Sequence, residues 1–268
     1  MEIQLYQVDA FADQTFSGNP AAVCPLDVWI DDERLQQIAE ENNLSETAFY
    51  VVGEDCIELR WFTPEHEVDL CGHATLAAAH VLFKYRNFSS QQILFSTRSG
   101  ELIVSKSTNS TKMYDMNFPA SFPTVVESSD LLLSSLGLDQ SRVLDVRAAE
   151  DYMVVLPSEA DVMALIPNFS LMQELDRRGV IVTSRGENED FVSRCFFPKY
   201  RVNEDPVTGS AHCQMTPYWA NRLAKNSLLA KQVSQRSGSI SCELKGDRVI
   251  LSGNVADYLV GRINIENL

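Results

Sequence analysis

Two short segments bring together residue types that could do chemistry on a small anion. Thr63-Pro64-Glu65-His66-Glu67-Val68-Asp69 leads into Cys71-Gly72-His73, and Asn203-Glu204-Asp205-Pro206-Val207-Thr208 leads into Gly209-Ser210. In each, an extended acidic stretch with a proline ends at a glycine that opens a helical pattern. The first turn of a helix carries unpaired backbone N–H groups and the positive end of the helix dipole, which together attract anions. The same residues also suit ordinary helix starts, with Thr208 and Ser210 as caps and Gly72 and Gly209 as tight turns. As a pair on two apolar helices, they point to a site for a small carboxylated molecule at a domain junction.

Glu46 lies in Asn42-Asn43-Leu44-Ser45-Glu46-Thr47-Ala48-Phe49-Tyr50, at the entry to an apolar run. A carboxyl there is either solvated at a strand edge or partly buried with a raised pKa. The second state is the one a general acid/base near neutral pH needs. His73 either packs locally or donates a hydrogen bond to substrate or carboxylate. Asp205 either orients His73 or binds substrate, or is a loop acid before Pro206. Cys71 at a helix start is expected to have a lowered thiol pKa, as in a two-thiol racemase, but the matching position is Thr208, which cannot abstract a proton.

The histidines at 66, 73, 80 and 212 are not spaced as a metal set, and the six cysteines form no C-x-x-C pair. G-x-G-x-x-G, P-loop, HExxH and G-x-S-x-G motifs are absent from the sequence. The expectation is therefore no metal, no nucleotide, no flavin and no other cofactor.

The elements that must position these residues alternate short strands with a few helices. Strands are expected at 3–11, 20–24, 47–52, 56–63 and 111–118, with a hairpin over 92–106 and helices at 31–42 and 72–86. The second half repeats this style, with helices at 128–136, 158–165, 170–178 and 209–225. Its strands are expected at 142–148, 151–156, 179–184 and 190–197, followed by a hairpin over 239–253 and a last strand at 258–265. The stretches 73–85 and 210–224 are apolar around their whole circumference, so each helix must be surrounded, and a sheet curled about each is the natural solution. Pro217 should kink or shorten the second. Residues 72–80 and 209–216 echo one another, suggesting duplication. The domains expected are 1–117 with 258–268, and 118–257, joined near the linker Pro119–Pro123.

Composition narrows the function classes. Apolar residues make up 45% of the 268, enough for a sizeable core, and the net charge is −15 without a basic cluster. That sign argues against nucleic acid and anionic membranes as partners. The N-terminal residues lack a signal-peptide pattern, and scattered cysteines suit a reducing compartment, so the expected location is cytoplasmic.

Five segments, V-D-A-F-A (8–12), S-G-N-P-A-A-V (17–23), N-L-S-E-T-A-F (43–49), L-C-G-H-A-T-L-A-A-A (70–79) and E-D-P-V-T-G-S-A (204–211), resemble the PhzF-like isomerase family of phenazine biosynthesis. The resemblance implies an α+β, diaminopimelate epimerase-like fold: two pseudo-symmetric domains, each a mixed sheet wrapped about a central helix, with the active site in the cleft. It implies a cofactor-independent proton shift with Glu46 as general acid/base. His73, Asp205 and Ser210 would hold a small carboxylated substrate, helped by the amides of Gly72 and Gly209. Asn19, Cys71 and Thr208 are further candidates, and a homodimer is a family-level expectation. The phenazine-forming enzyme has a small residue in place of Cys71, so the resemblance does not name the substrate. Rival readings are a thiol-assisted amino-acid epimerase using Cys71 and a non-catalytic metabolite-binding module.

Overall fold

The computed structural model describes residues 1–54, 56–108, 110 and 113–266. The expected turn residue Asp55 and the expected strand start at Thr111 lie outside the described residues. The chain divides into two compact units, Met1–Asn117 with Ser252–Leu268, and Phe118–Leu251.

The first unit runs β1 (Glu2–Ala10), β2 (Asn19–Leu26), α1 (Asp32–Asn42), β3 (Glu46–Val52), β4 (Ile57–Phe62), β5 (Glu67–Val68), α2 (Gly72–Tyr85), β6 (Gln92–Thr97), β7 (Gly100–Lys106) and β8 (Met113–Pro119). Strand β2 is antiparallel to β1 and parallel to β3, and β4 is antiparallel to β3 and parallel to β6, which pairs antiparallel with β7. Helix α2 carries Ala74, Leu76, Ala77, Ala78, Ala79, Val81 and Leu82, all buried, and packs against β1, β2, β3 and β7. Runs of alanine let strands approach it from several sides. Helix α1 covers another layer, with Leu35, Ile38 and Ala39 packed on Cys24, Phe49 and Phe62.

The second unit runs β9 (Thr124–Val125), α3 (Asp130–Leu136), β10 (Asp145–Ala148), β11 (Tyr152–Val155), α4 (Glu159–Met163), α5 (Phe169–Met172), β12 (Val180–Ser184), β13 (Phe191–Phe197), β14 (Val202–Asp205), α6 (Gly209–Leu223), β15 (Ser227–Gln232) and β16 (Gly238–Lys245). Strand β17 (Arg248–Asn264) begins in this unit and ends in the first, where it pairs antiparallel with β1. From β10 to β16 the pairings are antiparallel (β10–β11), parallel (β11–β12), antiparallel (β12–β13), parallel (β13–β15) and antiparallel (β15–β16). This is the order found from β1 to β7. In both units the long buried helix lies within the second parallel crossover, preceded by a short strand, β5 or β14, antiparallel to its predecessor. The echo between residues 72–80 and 209–216 is thus part of a repeated topology.

Four local expectations need correction. Helix α6 is not cut short at Pro217 but runs to Leu223. Proline cannot donate to the carbonyl four residues back, and that carbonyl, on Cys213, accepts instead from the Ser121 amide at 3.0 Å. The helix expected over 170–178 is only the short α5, because the chain beyond it is drawn towards residues 149–152. There Asp176 accepts from the Tyr152 hydroxyl, Arg177 donates to the Ala149 carbonyl and Arg178 pairs with Asp151. The hairpin strand after Lys245 and the last strand are one continuous β17. Finally, the stretch read only as extended before α6 includes strand β14, and the sequence pattern gives no strand at β15, which alternates exposed and buried side chains over only six residues.

Candidate active site

In the first unit the fold gathers Asn19, Glu46, Cys71 and His73. The left-handed residue Asn43 (φ 48°) ends α1 and turns the chain into β3, whose first residue is Glu46. Parallel pairing sets Glu46 opposite Ala21, two residues along β2 from Asn19. At the start of α2, Cys71 is the extended N-cap residue, Gly72 the first helical residue and His73 the second. The His73 ring then lies between three side chains. Its Nδ1 is 3.3 Å from the Asn19 amide nitrogen and 3.5 Å from the Cys71 sulfur, and its Nε2 is 3.1 Å from Glu46 Oε2. Asn19 is fully buried and His73 and Cys71 nearly so, whereas the Glu46 side chain keeps 17% of its surface exposed. The Asn19 side-chain amide stands against Nδ1, and Nε2 faces Glu46. The angles there are not those of a hydrogen bond, so the pair is an ion contact and the carboxyl is not locked to the ring.

The electrostatics correct one expectation. Burial, and after it the neighbouring Glu46 carboxylate, push the Cys71 thiol up to about 11, overriding the helix start. Cys71 is therefore a thiol at neutral pH. Burial opposes a charge on His73, but the adjacent Glu46 carboxylate holds its pKa above the ordinary value.

In the second unit Asp205, Thr208, Gly209 and Ser210 meet at the start of α6. Asp205 ends β14, Thr208 is the N-cap residue and Gly209 opens the helix. The Thr208 hydroxyl donates to Asp205 Oδ2 at 2.5 Å. Gln232, fully buried on β15, accepts from the Thr208 amide at 2.9 Å and donates to the Asp205 carbonyl at 2.6 Å. Ser210 Oγ accepts from Arg178 Nη2 at 2.9 Å, and Arg178 also grips the buried Asp151 carboxylate at 2.9 and 2.5 Å. An arginine only donates, so Ser210 must use a lone pair on it and keeps its own O–H to donate elsewhere. One turn on, Gln214 binds the Asp151 carbonyl at 3.0 Å. His212 plays a local part: its Nδ1 donates to the Thr208 carbonyl at 2.7 Å, and burial lowers its pKa to about 4. Thr75 does the same for the Cys71 carbonyl at 2.6 Å.

Arg178, Asp151 and Gln232 escaped sequence reasoning. Asp151 carried a readable signal, an acid at the entry to an apolar strand, the same signal that marked Glu46. His80, two turns along α2 from His73, sits with Tyr114 at 3.0 Å and Asp257 at 2.8 Å, away from the Glu46 group. Among the described residues no helix is long and apolar enough to cross a membrane.

Sheets flanking two buried helices in a repeated topology form a fold shared with a hydroxyproline epimerase. A crystal structure of a hydroxyproline epimerase from Agrobacterium vitis superposes with a TM-score of 0.64 over 98% of this chain and 91% of that one, at 10% identity. The chain belongs to the family described as phenazine biosynthesis-like protein, which matches residues 8–259. A PhzF-family protein from Enterococcus faecalis has a crystal structure with TM-score 0.95 and 44% identity, covering 99% of this chain and all of that one. An uncharacterized isomerase of Pseudomonas aeruginosa is 52% identical over 99% of this chain and its own full length. The protein is accordingly an isomerase of the PhzF-like family.

Proposed function

We propose that Glu46 moves a proton between two positions of a small carboxylated metabolite, without a cofactor. The observation that carries this reading is the Glu46 carboxyl itself, partly exposed at the start of β3, beside an imidazole 3.1 Å away that it is not hydrogen-bonded to. A carboxylate so placed can take a proton from a carbon acid and return it elsewhere on the same molecule. His73, oriented by Asn19, holds positive character next to the carboxylate and steadies the charge that shifts during transfer. The Gly72 amide offers a further donor in the first turn of α2. In the second unit, Asp205, the Gly209 amide and the Ser210 hydroxyl are proposed to bind substrate, with Thr208 and Gln232 positioning Asp205 and Arg178 positioning Ser210. Cys71 is not the base in this scheme, since its thiol is protonated until far above neutral pH.

The test is solvent-deuterium incorporation into a panel of small carboxylic acids, including cyclic dienoic acids and amino acids, read by mass spectrometry. Wild type should exchange a substrate from the panel, and Glu46→Gln should exchange it at least about 100-fold more slowly, the usual worth of a general acid/base. Exchange that survives Glu46→Gln but disappears in Cys71→Ser would transfer the role to the thiol.

A further inference from the structure

The side chains that carry the proposed chemistry are also a set of metal ligands brought together by the fold. The Cys71 sulfur, a ring nitrogen of His73 and a carboxylate oxygen of Glu46 all lie within 4.8 Å of one another. Sequence spacing hides this group, because Glu46 comes from β3 and the other two from the start of α2. Thiolate, imidazole and carboxylate are the donors Zn²⁺ takes, and the sulfur turns the set away from Mg²⁺ and Ca²⁺, which select oxygen. With ordinary zinc bond lengths, neighbouring ligands of a tetrahedral ion stand roughly 3.2–3.7 Å apart. Here Cys71 Sγ and His73 Nδ1 are 3.5 Å apart, and His73 Nε2 and Glu46 Oε2 are 3.1 Å apart. These are different nitrogens of one ring, so an ion takes Nε2 beside Glu46 and the Cys71 side chain, whose sulfur lies within 4.8 Å of the other donors, rotates towards it to complete the set.

A second observation points the same way. His73 is 6% exposed, and its Nε2 and the Glu46 Oε2 it faces are both buried without a hydrogen-bond partner. Buried polar atoms are normally satisfied, and a cation satisfies both at once. Three protein ligands leave a fourth position for water, the pattern of a reachable ion rather than a closed structural one.

We propose that a thiophilic divalent cation of the Zn²⁺ class binds reversibly to Glu46, Cys71 and His73 and switches the enzyme off. On binding, the Cys71 thiol and the His73 imidazolium each give a proton to solvent, so that the sulfur becomes a thiolate ligand and a ring nitrogen a neutral one. Glu46 gives to the ion the lone pair that would otherwise accept the substrate proton. The ion is an inhibitor, not a resident cofactor. Its inhibitory effect rests on the proton-transfer reading given above, whereas its binding does not.

The two parts are tested separately. Chelator-stripped full-length protein is titrated with Co²⁺, whose thiolate charge-transfer band in the near ultraviolet reports a sulfur ligand, and then with Zn²⁺ against a chromophoric chelator. One equivalent should bind, Zn²⁺ should displace Co²⁺, and Mg²⁺ should not compete. Cys71→Ser should lose the band, and both Cys71→Ser and His73→Gln should bind Zn²⁺ at least 10-fold more weakly with an unchanged circular dichroism spectrum. Cys56→Ser, which alters a partly exposed thiol elsewhere, should keep the band. A missing band in wild type, or Zn²⁺ affinity unchanged in both ligand variants, overturns the site. In the exchange assay Zn²⁺ should inhibit wild type and chelator should restore it. Tight binding without inhibition of an exchange that Glu46→Gln abolishes would overturn the switch and leave the proton-transfer reading standing.

Discussion

Arg178→Met removes one half of an ion pair whose other half has no access to water. The Asp151 side chain is 1% exposed and the Arg178 side chain 30%. Removing the partner of a buried charge costs about 3–5 kcal/mol, mostly because the remaining charge is stranded. Partial exposure of the arginine puts this pair near the low end, at about 3 kcal/mol. Methionine retains apolar contact with the Phe197 ring, over which the guanidinium sits at 5.1 Å. Only the cation–π increment, about 0.5–1 kcal/mol, is lost there. Glu150, 3.7 Å from the guanidinium and 70% exposed, is screened and alters little. At about 2–4 °C per kcal/mol for a chain of this class, the melting temperature should fall by about 6–12 °C.

The converse change should be milder. Asp151→Asn leaves the arginine unpaired, but Arg178 can turn its guanidinium to solvent, so the expected cost is about 1–2 kcal/mol. The double variant should lose less than the sum of the two single changes, since each strands a partner that the other removes. Urea unfolding followed by circular dichroism measures all three. Arg178→Met costing under about 1 kcal/mol, or Asp151→Asn costing as much as Arg178→Met, would refute the reasoning from burial.

Two further outcomes follow from the Glu46 group. With its thiol pushed up to about 11, Cys71 should react slowly with iodoacetamide at neutral pH and faster with each rise in pH, followed by peptide mapping; rapid labelling at pH 7 would contradict the burial argument. His73 has a raised pKa in the folded protein against about 6.5 unfolded, so the folded state binds that proton more tightly. Its stabilisation is complete below about pH 6.5 and lost as pH rises through the raised folded value. His73→Gln should flatten the decline in urea midpoint between pH 6 and 9, and an unchanged slope would show that His73 does not carry it.

What could be read in advance depended on how local its cause was. Glu46 and the two helix starts were legible because their signals lie within a few residues: an acid entering an apolar run, and a glycine after an acidic stretch. The passage of α6 through Pro217 was not, because the donor that compensates it is the Ser121 amide, remote in sequence. Arg178 escaped for the same reason, having its partners at Asp151 and Ser210. The low thiol pKa expected of Cys71 failed where a local rule, the helix dipole, met a tertiary one, burial, and lost.

The repeated strand order then gives the differences between the units their meaning. In the first, the helix start carries Cys71 and His73, and the strand entered by the first parallel crossover begins with Glu46. In the second, the corresponding helix positions hold Thr208 and Ser210, and the corresponding strand β12 is preceded by Arg178 and Gly179. Neither hydroxyls nor a guanidinium can remove a proton near neutral pH. Asp205, the carboxylate there, already accepts from Thr208 at 2.5 Å. Two copies of one topology have thus kept the same helix start but filled it with different chemistry. A symmetric pair of thiols is excluded at these helix starts, because Thr208 stands where the first unit has Cys71. On the proposed reading, Glu46 alone both removes and returns the proton, which fits an isomerase that shifts a proton within one molecule better than a racemase working from two faces.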